Sequence, residues 1–282
     1  MTTLQPSALL SDHIEMGVVE LLVADLARQR HFYEELVGLG VIDQTAEQVT
    51  LGWAGESLLR LVASDLAPAH PGSAGLYHTA ILFATRAALA QTLKRILSDT
   101  PAFYVGSADH LVSEAFYFTD PEGNGVELYF DKDPSTWVWR DGQVLMESLY
   151  LDTREYITTH SSTSDNLSKK IGHVHLKVGD IAAAIHFYGE VLGLRLVAQL
   201  PSALFFSDGQ YHHHLGMNTW ESQGAGLRPP SLGLKSITIK VADTTDLEYL
   251  QDRLTANDIQ FVKEVDSVVV NDPWGNKLKL TN

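Results

Sequence analysis

The sequence predicts an α+β fold assembled from four βαβββ units, and three observations predict it. The segment Val23-Ala-Asp-Leu-Ala-Arg-Gln-Arg-His-Phe-Tyr-Glu-Glu-Leu-Val-Gly-Leu39 aligns without a gap on Val178-Gly-Asp-Ile-Ala-Ala-Ala-Ile-His-Phe-Tyr-Gly-Glu-Val-Leu-Gly-Leu194. A turn sequence recurs as Asp120-Pro-Glu-Gly-Asn124 and Asp272-Pro-Trp-Gly-Asn276. Short runs rich in β-branched and aromatic residues border both motifs, as strands do.

The first unit, about residues 15–65, opens on the strand Gly17-Val-Val-Glu-Leu-Leu-Val23. Asp25 then caps an amphipathic helix whose Phe32 and Tyr33 are apolar anchors without chemistry, and Gly38 ends it. The second unit, about 75–130, opens on Gly75-Leu-Tyr-His-Thr-Ala-Ile-Leu-Phe83, carries a helix over Ala87–Leu97 and closes after the Asp120 turn on a strand holding Glu127. These two units make an N-terminal half, 1–130. Residues 131–170 read as a crossover linker with a polar, Ser/Thr-rich end. The C-terminal half, 171–282, holds the third unit, about 171–220, and the fourth, about 231–282. The third unit opens on Gly172-His-Val-His-Leu-Lys-Val178, with Asp180 as cap, Phe187 and Tyr188 as anchors and Gly193 as the stop. The fourth carries a helix over Thr245–Leu254 and ends on the strand after the Asp272 turn.

Composition limits the function. The chain has 282 residues, 45% of them hydrophobic, enough for a sizeable core. A formal net charge of -15 sets it against nucleic acid and anionic membrane surfaces and leaves small molecules as the expected partners. With neither a signal-like N-terminus nor a long apolar span, a cytoplasmic location is expected. There are no cysteines and twelve histidines, so disulfides and thiolate chemistry are excluded and any metal must be held by His, Asp or Glu.

His78 and Glu127 each stand on a strand of the second unit, and His173 and His175 alternate along the first strand of the third. Residues two apart on a strand share a face, so either of the last pair can be a ligand with the other as its neighbour. In the run His212-His-His214, read as strand, the middle residue points opposite to the outer two. His110 stands at the head of a strand, as an acid/base group or as a loop residue. Tyr211, Asn218 and Trp220 suit a pocket wall or plain packing.

The four units, the His-Phe-Tyr helices and the Asp-Pro-x-Gly-Asn turns resemble the vicinal oxygen chelate superfamily, which includes glyoxalase I, bleomycin and fosfomycin resistance proteins and type I extradiol dioxygenases. Finer motifs, Gly75-Leu-Tyr-His78, Ser107-Ala-Asp-His-Leu-Val-Ser-Glu-Ala115, Gly172-His-Val-His-Leu176 and Tyr211-His-His-His-Leu-Gly-Met-Asn-Thr-Trp220, are similar to its catechol-2,3-dioxygenase-like branch. The resemblance implies that units pair into curved mixed sheets forming a cup, with metal ligands from the first and last strand of each unit. The first unit offers Val18 and then Leu59 or Arg60 at those places, and the fourth offers Ser236 and Lys279. Neither is a ligand set, although many extradiol enzymes carry their site in the third and fourth units.

The middle units offer His78, Glu127 and His173, with His213 as an acid/base or as a fourth ligand. Units two and three are therefore expected to face one another around one site, as units one and four do. The implied activity is extradiol cleavage of a small aromatic diol by dioxygen, with Fe(II) as the metal and Mn(II) or Zn(II) as alternatives. The implied acid/base residue is His213 or His175, with His110 third. Glyoxalase-type isomerisation or transfer, and plain small-molecule binding, are the competing readings, and a homo-oligomer is compatible with all of them.

Overall fold

The computed structural model describes residues 9–282; the first eight, part of the stretch read as lacking a signal, lie outside the described residues. The first unit runs β1 (Ile14–Val23), α1 (Leu26–His31), β2 (Gly40–Gln44), β3 (Gln48–Trp53) and β4 (Glu56–Ala63). The second runs β5 (Gly75–Phe83), α2 (Arg86–Asp99), β6 (Tyr104–Asp109), β7 (Ser113–Thr119) and β8 (Gly125–Asp131). The linker is more than a crossover, because it carries a small hairpin, β9 (Trp139–Arg140) and β10 (Gln143–Val144), and a helix, α3 (Thr153–Thr159). The third unit is β11 (Lys169–Lys177), α4 (Ile181–Ala184), β12 (Arg195–Leu200), β13 (Ala203–Ser207) and β14 (Leu215–Asn218). The fourth is β15 (Gly233–Val241), α5 (Thr244–Ala256), β16 (Phe261–Lys263), β17 (Ser267–Asn271) and β18 (Lys277–Thr281).

Every unit is thus βαβββ, and the units pair by nesting. The second and third share one eight-stranded sheet, ordered β12-β13-β14-β11-β5-β8-β7-β6, while the first and fourth share another, β16-β17-β18-β15-β1-β4-β3-β2. In each sheet the two opening strands run antiparallel side by side, and each lies parallel to the closing strand of its own unit. Alternation then sorts the side chains. Ile81, Phe83, Val174 and Leu176 of the inner sheet join Val19, Leu21, Ile237 and Ile239 of the outer one in a single buried cluster. The opposite face of the inner sheet is left for other residues.

The two sequence motifs are explained by one contact. Asp25 and Asp180 cap their helices as expected, accepting from Arg28 N at 2.9 Å and Ala183 N at 2.7 Å. Where a plain α-helix was expected, each continues as a wider π-turn, Phe32–Leu36 and Ile185–Val191, and both Phe-Tyr pairs are buried. Tyr33 Oη donates to Asp120 Oδ2 at 3.0 Å, and Tyr188 Oη to Asp272 Oδ2 at 2.8 Å. The turn of each even-numbered unit is therefore latched to the helix of the odd-numbered unit before it, tying one sheet to the other. Gly38 and Gly193 end these helices at φ of 83°, the left-handed region that a Cβ disfavours. Among the described residues no helix is long and apolar enough to cross a membrane.

Candidate metal centre

Strand register decides which side chains meet in the cup. Tyr117 on β7 pairs with Glu127 on β8, Glu127 with Ala80 on β5, and Ala80 with His173 on β11. These four form one row across the sheet, and His78 stands two residues before Ala80 on the same face. The methyl side chain of Ala80 occupies the middle of the row, so the longer groups on either side can converge above it. Ligand atoms of His78, Glu127 and His173 all lie within 4.8 Å of one another. Among the described residues they are the one group of three or more His, Asp or Glu side chains placed so closely, and His213 is not in it.

The group is almost sealed, with His78 5%, Glu127 2% and His173 1% exposed. Glu127 Oε2 lies 2.9 Å from His78 Nε2 and 3.1 Å from His173 Nε2. Burial pushes the Glu127 carboxyl up, but the His173 and His78 imidazoles outweigh it and hold Glu127 well below the usual carboxylate range. Burial pushes His173 the other way, below its ordinary value, with Glu127 only partly opposing this. The result is a carboxylate beside a neutral imidazole, with no Lys or Arg among the described residues bridged to it. Such a buried negative charge is costly unless a cation pairs with it. His78 Nε2, despite its closeness to Glu127, lies outside hydrogen-bonding geometry and is a buried nitrogen without a hydrogen-bond partner. A carboxylate short of positive charge and a buried imidazole nitrogen short of a partner suit a divalent cation, so these three residues can hold a metal ion.

The other histidines are placed differently. His175 pairs with His78 across β11 and β5, and its Nε2 accepts from Asn218 Nδ2 at 3.0 Å. Of the two alternating histidines, His173 joins the close group and His175 packs beside it. Gly216, next in the same row, gives the ring its space: a Cβ there would come within 2.7 Å of His175 Nδ1. Burial first, then His78 and His173, hold His175 well below its usual range.

His212 to His214 form a bend before β14 rather than a strand, so the expected alternation does not apply to them. His213 stacks on His173 with ring centroids 4.1 Å apart, and its Nδ1 meets His212 Nδ1 at 2.8 Å. His212 Nε2 in turn meets Asp131 Oδ1 at 2.8 Å, while Tyr211 Oη donates to Asp131 Oδ2 at 2.8 Å and lies 2.8 Å from Tyr129 Oη.

His110 stands one step back. Its Nδ1 donates to the Glu147 carbonyl and its Nε2 accepts from Tyr117 Oη, both at 2.7 Å. The phenol of Tyr117, pushed well above its ordinary value by burial and then by Glu127, lies between His110 and the cluster. Sequence reading missed Tyr117, Tyr129 and Asp131, whose places follow from register on β7 and β8. It also missed the linker's part: residues 143–148 wall a cavity of about 950 Å³ that opens onto His78, Glu127, His173, His175 and His213. The exposed part of its lining mixes apolar Val105, Leu200 and Trp220 with polar Gln143, Glu147, Gln199 and Glu221.

Comparison with known proteins agrees with this architecture. The chain is 34% identical over 268 residues to a catechol-2,3-dioxygenase of Bacillus subtilis, covering 92% of this chain and 93% of that protein. It superposes on a Bacillus subtilis protein provisionally named a dioxygenase with a TM-score of 0.65 at 13% identity, covering 94% of this chain and 84% of the other. Glyoxalase I from Zea mays superposes with a TM-score of 0.58 at 16% identity, covering 96% and 92% respectively. At such identities these structures speak for the fold alone. The profile of the Glyoxalase/Bleomycin resistance protein/Dioxygenase superfamily matches residues 11–128 and 170–280, and the chain belongs to that superfamily.

Proposed function

We propose that the protein is a metal-dependent extradiol dioxygenase that opens the ring of a catechol-type aromatic diol, with His78, Glu127 and His173 as the ligands of Fe(II). The observation that carries this reading is the count of ligands: two imidazoles and one carboxylate converge, while His213 is bonded to His212 and stays out of the group. A glyoxalase-type isomerase would use a fourth protein ligand here. Fe(II) in a three-ligand site supplies open positions, positive charge for a catecholate and a redox partner for dioxygen. In the net reaction both atoms of dioxygen enter the product and the ring carbon–carbon bond beside the diol breaks, with no external reductant.

The chain's own groups do the rest. His213 faces the cavity and is the base for a hydroxyl proton of the diol; burial, followed by His173 and His212, holds it well below its usual range, so it is neutral and able to accept. The Tyr117 hydroxyl, bonded to His110 and kept protonated, stands at the cluster's edge with an oxygen lone pair turned to accept. His175, tied to Asn218, walls the same space. The cavity stands near the top of the range of about 300–1,000 Å³ typical of pockets for drug-sized ligands. That size fits a diol carrying a substituent better than a bare ring.

The test is to load the protein with Fe(II) without oxygen, add catechol or an aryl-substituted catechol, admit air and follow the yellow ring-opened product. Product formation only with metal, diol and oxygen together is the expected result. Absence of product with every diol, from protein that has taken up iron, overturns the reading.

A further inference from the structure

The cavity-facing histidine is the last link of a hydrogen-bonded chain whose direction is set at its far end. Asp131 lies on β8 four residues beyond Glu127, on the same face as Glu127 and Tyr129. A carboxylate only accepts, so Oδ1, at 2.8 Å from His212 Nε2, takes a hydrogen bond from that nitrogen. A His212 ring carrying one hydrogen, on Nε2, has an acceptor at Nδ1. Its neighbour at 2.8 Å is His213 Nδ1, which must therefore carry the hydrogen. Among the described residues the one hydrogen bond of the His213 ring is through Nδ1, which leaves Nε2 free, and the ring borders the cavity. Tyr211 holds the second oxygen of Asp131, and His212 is fully buried, so the chain is fixed in place from both sides.

We propose that Asp131 and His212 are positioning residues that hold His213 in its Nδ1–H form and thereby reserve the Nε2 lone pair for a hydroxyl proton of the bound substrate. The identity of that substrate rests on the ring-cleavage reading; the direction of the hydrogen bonds does not. The arrangement also accounts for three adjacent buried histidines with only one facing the triad. His213 takes the proton, His212 orients it, and His214 lies outside the chain.

The decisive readout is the nitrogen NMR spectrum of the zinc-loaded, diamagnetic protein, with the His213 signals assigned by their loss in His213→Gln. The expected result is a protonated Nδ1 and an unprotonated Nε2 on His213. The opposite pattern, which a doubly protonated His212 would impose, overturns the proposal with no variant needed. In His212→Phe, His213 should shift towards its Nε2–H form, with metal content retained. In the iron enzyme that variant should lower kcat by about 10–100-fold, the usual cost of removing an orienting partner, and leave KM nearly unchanged. An unchanged tautomer together with unchanged kcat overturns the proposal. If wild-type protein opens no diol ring, the functional reading fails while the spectrum still decides the tautomer. If it opens rings but His213 is Nε2–H, only the positioning role fails.

Discussion

The two eight-stranded sheets are built from the same unit in the same nested order, yet only one has the makings of a metal site. Register allows a residue-by-residue comparison. The inner row reads Tyr117, Glu127, Ala80, His173, and the matching row of the outer sheet reads Thr50, Arg60, Glu20, Ser236. A carboxylate is present in both. In the outer sheet it belongs to Glu20 and is met by Arg60 and, at 3.0 Å, by Lys235, whose charges hold it below its usual range against the opposing effect of burial. In the inner sheet it belongs to Glu127, and among the described residues its ion-pair partners are imidazoles. One sheet neutralises its acid with protein cations, and the other leaves a gap in charge and in coordination. The backbone supplies the concave frame twice; the side chains at four register positions decide whether it can take an ion.

The comparison breaks most visibly at the paired positions Glu127 and Arg60. Glu127→Ala removes the one negative ligand, so bound metal should disappear and ring opening should fall by more than the roughly 100-fold that loss of an orienting partner costs. Arg60→Ala should leave metal content and rate untouched and cost at most about 1 kcal/mol in a denaturant titration, as expected of a half-exposed ion pair.

A smaller effect is expected from Ala80→Leu, which adds bulk between Glu127 and His173. It should keep the fold at a cost of about 1–3 kcal/mol while weakening metal binding at least about tenfold by calorimetric titration. Equal losses of metal from a substitution at Glu20, its counterpart in the outer sheet, would remove the distinction between the two frames. The smallest effects belong to the latches that the halves share. Tyr33→Phe and Tyr188→Phe each leave a buried Asp oxygen short of one bond, and both should lower unfolding stability by a similar amount of about 1–3 kcal/mol with metal content unchanged.

Much of this was legible from residue order. Repeats revealed the four units because a helix cap, a buried Phe-Tyr pair and a stopping glycine must recur wherever the unit recurs. The first-strand and last-strand places of each unit also pointed to His78, Glu127 and His173 as expected ligands, and to Val18, Leu59 or Arg60, Ser236 and Lys279 as the non-ligating residues of the other two units. What escaped was set by long-range pairing. Tyr117 reaches the cluster only because β7 lies beside β8, and Asp131 acts on a residue some eighty positions away. The histidine run at 212–214 looked like a strand because its neighbours form one, yet it is a bend in which adjacent rings touch. Read as a crossover with a polar end, the linker gave no hint that residues 143–148 wall the cavity. Its hydrogen bond from His110 to Glu147 and its pairing of Leu149 with Asp109 tie it to the rim, and both are contacts between chain segments far apart in sequence.

The most direct test of the whole account is a crystal of the iron-loaded protein measured on both sides of the iron absorption edge. The account predicts one anomalous peak, coordinated by His78, Glu127 and His173, and no peak at Glu20 in the outer sheet. An ion placed elsewhere, or one that recruits His213 as a fourth protein ligand, would contradict it.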